Sequence, residues 1–183
     1  MKNIGTKKLE TDRLILRRFK MTDSKEVFEN WASDDRITEY LTWEAHKSEN
    51  ITKQLLSIWT NKYKNKDFYQ WAIVLKEIDE IIGSINVEID NLPQKARIGY
   101  CIAYDYWGNG YTTEALRRVI KFLFEQVNVN KIETKHSVLN PASGKVMEKA
   151  GMIKEAILKE SDWSNAGITD TVYYRLLKSE YER

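Results

Sequence analysis

The stretch that most constrains the fold is 97–115, where an uncharged run changes into a helical pattern across two glycines. Residues 98–103 carry no charge and are flanked by polar residues, as expected of a buried strand. The chain then passes through Gly108 and Gly110. From about Thr112, apolar residues recur at spacings of three and four, as on one face of a helix: Leu116, Val119, Ile120, Leu123 and Phe124. The sequence therefore predicts a strand, a glycine turn and a helix in succession.

This order of elements can build an anion-binding site. Backbone N–H groups converge at such a turn, the helix dipole adds partial positive charge, and glycine lets the backbone approach a phosphate closely. A second interpretation needs the glycines only for their φ angles. Walker-type and dinucleotide loops are excluded, because Gly110 is followed by Tyr111, Thr112 and Thr113 rather than by Lys-Ser/Thr or a third glycine. What remains is a diphosphate held mainly by backbone amides, with the two threonine hydroxyls as helpers.

The same stretch resembles the acetyl-CoA loop of the GNAT N-acetyltransferases, whose pattern is Gln/Arg-x-x-Gly-x-Gly/Ala. Trp107 takes the Gln/Arg place, Gly110 the glycine and Thr112 the Gly/Ala. The form Tyr-Trp-Gly-x-Gly-Tyr-x-Thr-Glu-Ala is similar to the Rim-type subgroup, which contains the ribosomal-protein N-terminal acetyltransferases.

The resemblance continues at both ends of the chain. Residues 9–17, Leu-Glu-Thr-Asp-Arg-Leu-Ile-Leu-Arg, are similar to the first strand of that subgroup. Residues 140–143 (Asn-Pro-Ala-Ser) and 148–152 (Glu-Lys-Ala-Gly-Met) resemble its Asn-x-x-Ser…Glu-Lys-x-Gly-Phe signature. Because the match runs through nearly the whole chain, it implies a single N-acetyltransferase domain over residues 1–183.

The composition is that of a soluble globular protein. The 183 residues are enough for one core, and 42% are hydrophobic and 31% charged. No uncharged run approaches the roughly 18 residues of a membrane span and the N-terminus has no apolar leader, so we expect a cytoplasmic protein without membrane contact. A net charge of +2 is too small to indicate nucleic-acid binding. The single cysteine, Cys101, excludes an intrachain disulfide and is expected to pack in its strand.

Hydrophobic periodicity predicts the remaining elements. Strands are expected at 9–18, 68–75, 81–89, 98–103, 131–138, 153–158 and 168–177, and helices at 23–31, 48–63, from 112 and from 141 to Gly151. Asp23 and Glu26 have the spacing of a capping box, and Asn140 that of an N-cap before Pro141. In helix 48–63 the expected buried face consists of Ile51, Leu55, Ile58 and Trp59.

The expected fold is α/β with a mixed sheet. Tight turns make the first four strands antiparallel, and a helical crossover makes strands four and five parallel. The resemblance implies a GNAT-like fold with six to seven strands, splayed between strands four and five, with helices on both faces. It also implies that acetyl-CoA enters at the splay and pairs with the edge near Ile102, Ala103 and Tyr104. Its other contacts would be Trp107, Gly108, Asn109, Gly110, Tyr111, Thr112, Thr113, Asn140 and Ser143.

Acetyl transfer to an amine needs a neutral amine, an N–H donor for the oxyanion and a proton donor or hydrogen bond for the leaving thiolate. In the family a strand-four amide is the first donor, which falls at 102–104 here. Many members carry a tyrosine as the acid, but Met147 holds that place and cannot donate. Ser143, at the subgroup's serine position, is the candidate; the alternative is a local helix cap. Lys145 and Lys149 either face the CoA phosphates or are solvated.

Three carboxylates are candidates for the base. Asp162 occupies the place of an acidic residue that follows strand six in the subgroup, and Glu160 is its close alternative. Glu88 shares a strand face with Ser84 and Asn86. Each could equally be a solvated carboxylate. A dedicated base could also be absent, since an α-amino group is partly neutral at pH 7.

The acceptor side is expected in the helical insertion between strands one and two. Tyr40 and Trp43 are candidates for substrate contact, with core packing as the alternative, whereas Trp59 is expected in the core. His46 and His136 stand apart from each other, and no Cys/His cluster has zinc spacing, so we expect no metal.

The predicted function is acetyl-CoA-dependent transfer of an acetyl group directly to a primary amine, with a protein N-terminal α-amino group as one candidate acceptor. The alternatives are a small-molecule amine acetyltransferase, acting on an aminoglycoside, a polyamine or an amino acid, and a CoA-binding module without catalysis. The sequence leaves the acceptor open, and also the choice between monomer and homodimer.

Overall fold

Eight strands form one mixed sheet in the computed structural model, which describes residues 1–182. The strands are β1 (Leu9–Glu10), β2 (Leu14–Arg17), β3 (Tyr69–Leu75), β4 (Glu80–Asp90), β5 (Lys95–Ile102), β6 (Lys131–Ser137), β7 (Ile153–Ser164) and β8 (Gly167–Leu177), in the order β1-β2-β3-β4-β5-β6-β8-β7. The helices are α1 (Ser24–Val27), α2 (Asp35–Thr38), α3 (Glu49–Lys62), α4 (Tyr111–Phe122), α5 (Pro141–Lys149) and α6 (Lys178–Tyr181). Helices α1 and α4 continue as π-helical turns, Phe28–Ala32 and Leu123–Val127.

The sheet opens between β5 and β6. These two strands are parallel and pair only where residues 95–97 meet residues 131–133. Beyond Arg97 the two strands separate, and the edge of β5 faces a gap, called the splay below. The predicted GNAT-like splay between the fourth and fifth predicted strands is confirmed.

Helices cover both faces of the sheet, as predicted. On one face, α4 and α5 pack into a core that contains Leu116, Phe122 and Met147. On the other face, the helical insertion between β2 and β3 packs through a second core that contains Trp31 and Leu56. The splay therefore has a helical layer on each side.

Two strand predictions need correction. The expected strand 9–18 is two strands, because Thr11 and Leu14 exchange hydrogen bonds (Thr11 N to Leu14 O, 3.0 Å; Leu14 N to Thr11 Oγ1, 2.9 Å) and turn the chain. The sheet thus has eight strands rather than six or seven. Strand β7 extends to Ser164 instead of ending at residue 158, and its long hairpin with β8 reaches the helical insertion.

One side-chain prediction in the insertion is wrong, and another is confirmed only in part. Asp23 and Glu26 form no capping box: Asp23 accepts the Lys20 N–H at 2.8 Å, and Glu26 accepts the N–H of Ile81 on β4. In α3 the fully buried residues are Thr52 and Leu56, whereas Ile51 and Ile58 are 40% and 52% exposed. Of the predicted face, Leu55 and Trp59 are half-buried, and Trp59 packs against the second core, as expected. The buried face is therefore rotated from the predicted one: Leu56 belongs to the second core, and the Thr52 hydroxyl bonds to His46 Nδ1 at 2.8 Å.

Candidate active site

A cavity of about 380 Å³ occupies the splay. Its walls are β5, β6, the loop that leads into α4, the first turns of α5, and part of the helical insertion. Nine of the residues predicted for the site line it: Tyr40, Ile102, Trp107, Gly108, Gly110, Thr112, Thr113, Asn140 and Ser143. We call it the splay cavity.

The glycine loop presents unused backbone donors to this cavity. Gly108 and Gly110 both have left-handed φ angles, +78° and +80°, which an L side chain rarely adopts. The first turn of a helix has no internal acceptors for its N–H groups. Among the described residues, none accepts a hydrogen bond from the backbone N–H groups of 108–113. Glycine is needed at both positions because of these positive φ angles. The same backbone conformation leaves the N–H groups of 108–113 free to bind an anion.

A brace outside the cavity holds the loop in place. Arg13 donates to Asn109 O at 3.1 Å and to Glu114 Oε2 at 2.7 Å, and its guanidinium lies 4.4 Å from the centre of the Tyr111 ring. Asn109 Nδ2 bonds to Trp107 O at 3.0 Å. The side chains of Asn109 and Tyr111, predicted as cofactor contacts, therefore belong to the brace and do not line the cavity.

On the open edge of β5, the N–H of Ile102 points into the splay. Ala103 N donates to Ile82 O on β4 at 2.7 Å. Because antiparallel pairs alternate between bonded and non-bonded positions, the N–H of the preceding residue, Ile102, is directed away from β4. Ala103 is buried and Tyr104 is exposed, and neither lines the cavity. The available oxyanion donor within the predicted 102–104 segment is thus Ile102.

The start of α5 fixes Ser143 at the cavity wall. Asn140 Oδ1 accepts the Ser143 N–H at 3.3 Å, so Asn140 is the helix N-cap, as predicted. The Ser143 carbonyl accepts the Tyr100 hydroxyl at 3.1 Å. The Ser143 hydroxyl makes no hydrogen bond within residues 1–182, so it is free to donate to a bound molecule.

Three residues that the motifs did not single out also line the cavity: Tyr100, Lys135 and His136. Burial raises the pKa of Tyr100 well above its ordinary value, so this phenol stays protonated at neutral pH. His136 lies beneath Gly144, with Nδ1 against Ser137 O at 2.7 Å. The alternation along β5 could have identified Tyr100, which shares a strand face with Ile98 and Ile102.

The three base candidates occupy different environments. Asp162 does not itself line the cavity, but it forms an ion pair of 2.5 Å with Lys135, which does. Glu88 is 69% exposed, pairs with Arg97 at 3.2 Å and does not line the cavity. Glu160 is exposed, and its N–H bonds to Asp170. The geometry therefore favours Asp162 among the three.

On the acceptor side, Tyr40 and Leu41 line the cavity and Trp43 does not. The Trp43 ring packs against Trp31 and His46, with centroid separations of 6.2 and 5.6 Å. The Trp43 side chain therefore packs within the helical insertion, which is the alternative to substrate contact.

The β7–β8 turn fastens this part of the wall. Asn165 Nδ2 donates to Thr38 O and Trp43 O, each at 2.9 Å, and Asn165 N donates to Leu41 O at 3.1 Å. Ala166 N adds a bond to Glu39 O at 2.9 Å. We call segment 38–43, tied in this way, the strap.

Cys101 packs against the second core, as expected, but it is only half-buried and also borders the cavity. Burial raises the pKa of its thiol to about 12, so the nucleophilic thiolate is scarce at neutral pH. The arrangement suits direct transfer better than a thioester on the protein.

Within residues 1–182, no group of His, Cys, Asp and Glu side chains is placed to hold a metal ion. Over the same residues, no helix is both long and apolar enough to cross a membrane.

Comparison with known proteins identifies the family. The profile of the acetyltransferase (GNAT) domain matches residues 13–153. The chain therefore belongs to the GNAT family and is an N-acetyltransferase.

Relatives extend the likeness to the Rim-type subgroup. The chain is 28% identical to the uncharacterized N-acetyltransferase p20 of Bacillus licheniformis, over 94% of this chain and 97% of that one. It is 31% identical to the ribosomal-protein-serine acetyltransferase of Escherichia coli (strain K12), over 63% of this chain and 65% of that one. The fold matches the structure of RimL, a ribosomal L7/L12 α-N-protein acetyltransferase in complex with coenzyme A. That match has a TM-score of 0.84 and 16% identity, and covers 95% of this chain and 99% of that one.

Proposed function

We propose that this enzyme uses acetyl-CoA and transfers its acetyl group directly to a primary amine, with a protein N-terminal α-amino group as the acceptor. One observation carries the proposal: a single cavity joins the open edge of β5 to the unused amides of the glycine loop. A thioester on a long chain ending in a diphosphate needs both features, since a strand edge pairs with an amide-containing chain and free N–H groups bind phosphate.

The residues divide the work along the cavity. The N–H groups of 108–113, with the hydroxyls of Thr112 and Thr113, would hold the diphosphate of acetyl-CoA. The N–H of Ile102 lies on the strand edge at which the thioester carbonyl would be placed, so it would stabilise the developing oxyanion.

Proton transfer is assigned to two side chains. The free hydroxyl of Ser143 would donate a hydrogen bond to the departing thiolate, which lowers the energy of the leaving group. Tyr100 is a positioning residue here, because its hydroxyl holds the Ser143 carbonyl. Asp162, paired with Lys135 at the cavity wall, would accept the proton released by the amine.

Two named proteins support an α-amino acceptor. The E. coli relative is a ribosomal-protein-serine acetyltransferase, and the structural neighbour RimL is an α-N-protein acetyltransferase. An α-amino group has a reference pKa of about 7.7–8.0, so a useful fraction is neutral at pH 7 without a strong base. This agrees with a site in which the best base candidate is already committed to an ion pair.

The test is a thiol-release assay with acetyl-CoA and matched amines. Lysine-free peptides with a free N-terminus are compared with the same peptides acetylated at the N-terminus, and with a polyamine, an aminoglycoside and free amino acids. We expect release only with the free N-terminus. Release confined to a small amine would contradict the proposed α-amino acceptor but would still show that the protein is an acetyltransferase. Binding of acetyl-CoA without release on any amine would favour a binding module.

A further inference from the structure

The imidazole of His136 is an ionisable group of the splay cavity that takes no part in the chemistry proposed above. The residue lies on β6 and lines the cavity together with Ser143. Histidine is the side chain most often used to move protons near neutral pH. Such a role requires a ring with a fixed orientation and a free nitrogen that a bound molecule can reach.

Hydrogen bonding fixes the orientation and the tautomer of this ring. His136 Nδ1 lies 2.7 Å from Ser137 O. A carbonyl oxygen only accepts, so Nδ1 carries the hydrogen and, in the neutral ring, Nε2 keeps its lone pair. Within residues 1–182, no group forms a hydrogen bond or an ion pair with Nε2. Nε2 is therefore free to accept a proton.

Nε2 is also accessible from the cavity. In the described part of the chain, the buried side-chain atoms without a hydrogen-bond partner are Trp31 Nε1 and Thr171 Oγ1. His136 Nε2 also lacks a partner but is not one of these atoms, so it is in contact with solvent. Because His136 is half-buried and lines the splay cavity, a molecule bound there can reach Nε2.

The packing of α5 on β6 places Nε2 close to Ser143. A Cβ at Gly144 would lie 2.7 Å from Nε2 and 3.1 Å from Cε1, so glycine is what allows the helix to approach the ring this closely. Tyr174 packs on the ring with a centroid separation of 5.7 Å. Ser143 directly precedes Gly144, and its free hydroxyl lines the same cavity. The hydroxyl and the imidazole thus belong to one part of the wall.

The neighbouring ionisable groups cannot replace the imidazole. Those on elements packed against the ring are Tyr100 on β5, Lys135 on β6, Lys145 and Glu148 on α5, and Tyr174 on β8. Glu148 accepts the Tyr174 hydroxyl at 2.8 Å, and Lys135 pairs with Asp162 at 2.5 Å. Tyrosine and lysine normally keep their protons at neutral pH and a carboxylate normally gives its proton up, whereas an imidazole does both.

Resting on the proposed function, we infer that His136 is a catalytic residue that carries a proton from the attacking amine to the departing thiolate. The ammonium form of the acceptor first loses one proton, the step assigned to Asp162. When the neutral nitrogen attacks, the C–N bond forms and the nitrogen holds a second excess proton, which Nε2 takes up. As the C–S bond breaks, its electron pair goes to sulfur, and Nε2 gives the proton to that sulfur. The products are the amide, the free thiol of CoA and a neutral imidazole.

The test removes Nε2 in two ways. His136→Asn keeps a side-chain N–H near Ser137 O and deletes Nε2, whereas His136→Gln puts a group that does not titrate in its place. With a lysine-free peptide as acceptor, we expect kcat to fall about 100-fold in both variants, the lower end for loss of general acid–base catalysis. The Kd for acetyl-CoA, measured by calorimetry, should not change. His46→Gln is the matched control, because His46 bonds to Thr52 outside the cavity and its loss should leave kcat unchanged.

The pH profile separates proton transfer from packing. Between about pH 5 and 8, where histidine changes its charge, the ratio of wild-type to variant kcat should rise with pH as Nε2 loses its proton. A constant ratio would overturn the inference, because His136 would then act only through the position of α5. A wild-type kcat in His136→Asn would overturn it too and leave the proposed function standing. If the wild type releases no thiol with any amine, the proposed function itself is contradicted. A urea midpoint for each variant reports whether it is folded.

Discussion

At the scale of single residues, Ser143 is the group that links the structure to the chemistry. Its N–H and carbonyl are both used, by Asn140 and Tyr100, while its hydroxyl is free at the cavity wall. Ser143→Ala therefore removes the hydroxyl and leaves the backbone bonds intact. We expect kcat to fall about 100-fold, the lower end for loss of a general acid, with the Kd for acetyl-CoA unchanged. Steady-state kinetics beside calorimetry checks this, with Ser57→Ala on α3 as the control. An unchanged kcat would leave Ser143 as a helix residue only.

Tyr63 has a buried hydroxyl that is expected to contribute to stability. It donates to Gln70 O and accepts the Phe19 N–H, each at 2.9 Å. Tyr63→Phe keeps the ring but leaves both partners unpaired, so we expect a loss of about 2 kcal/mol in the free energy of unfolding at pH 7. Urea titration measures it. Tyr173→Phe is the control, because the Tyr173 hydroxyl makes no hydrogen bond in the part of the chain described.

The same substitution has a pH signature. Burial raises the pKa of Tyr63 to about 12 in the folded protein, whereas an unfolded tyrosine titrates near 10. Between these values the unfolded chain binds fewer protons than the folded one, so stability falls as pH rises through this window. We expect a shallower decline in Tyr63→Phe than in the wild type when unfolding is compared at pH 7 and about 10.5. Parallel declines would contradict this assignment of the pKa.

Local chemistry explains which site residues the sequence could predict. The role of Asn140 as a cap follows from its immediate neighbours, and this prediction is confirmed. The left-handed φ of Gly110 is the feature that the alternative interpretation of the loop required. Tyr100 could have been identified from the alternation along β5, whereas Lys135 and His136 line the cavity because β5 and β6 separate beyond Arg97, which depends on contacts distant in sequence. Catalytic roles for Ser143, Asp162 and Glu88 stay predictions until activity is measured.

At the scale of elements, α5 is packed so closely on β6 that a glycine is required in the helix. A Cβ at Gly144 would lie 2.7 Å from His136 Nε2, and the His136 ring is fixed by Ser137 O and packs beside Tyr174. Gly→Ala inside a helix usually raises the free energy of unfolding by about 1 kcal/mol, whereas overpacking at this position lowers it by about 1–3 kcal/mol. We expect Gly144→Ala to lower the unfolding free energy by about 1 kcal/mol. The double variant with His136→Ala should recover part of the loss relative to His136→Ala alone. A stabilised single variant would show that α5 can move.

The strap is the element that shapes the acceptor side. Asn165 Nδ2 supplies two of its four hydrogen bonds, and the strap lines the cavity through Tyr40 and Leu41. We expect Asn165→Ala to raise the KM for the amine about five- to tenfold, as the loss of two bonds would, with little change for acetyl-CoA. Kinetics with each substrate varied in turn separates the two, and Asn50→Ala on α3 is the control. Equal increases in the KM values for the amine and for acetyl-CoA would contradict this prediction, because the substitution would then disturb the whole site rather than the acceptor side.

Elements also show where periodicity fails. The isoleucines of α3 predict one buried face, but the fully buried residues are Leu56, which belongs to the second core, and Thr52, which bonds to His46. The expected capping box fails because the Ile81 N–H takes the Glu26 carboxylate. In the capping-box case a polar partner 55 residues away outweighs the local pattern, and in α3 the packing of the second core does.

At the scale of the whole molecule, the separation of β5 from β6 is the feature on which the site depends. The sequence order of strands and the crossover helix allow the mixed sheet and its splay to be predicted. The strand count could not be predicted, since the division of β1 from β2 depends on one threonine side chain. Only the folded molecule shows that the glycine loop, the open strand edge and α5 face one cavity.

Calorimetric titration of the wild-type protein with acetyl-CoA is the first test of what this cavity binds. We expect binding at one site per chain, with a Kd on the order of micromolar, in the range common for enzyme substrates. The absence of binding at about 1 mM acetyl-CoA, the upper end of that range, would contradict the assignment of the splay cavity and the glycine loop to this substrate.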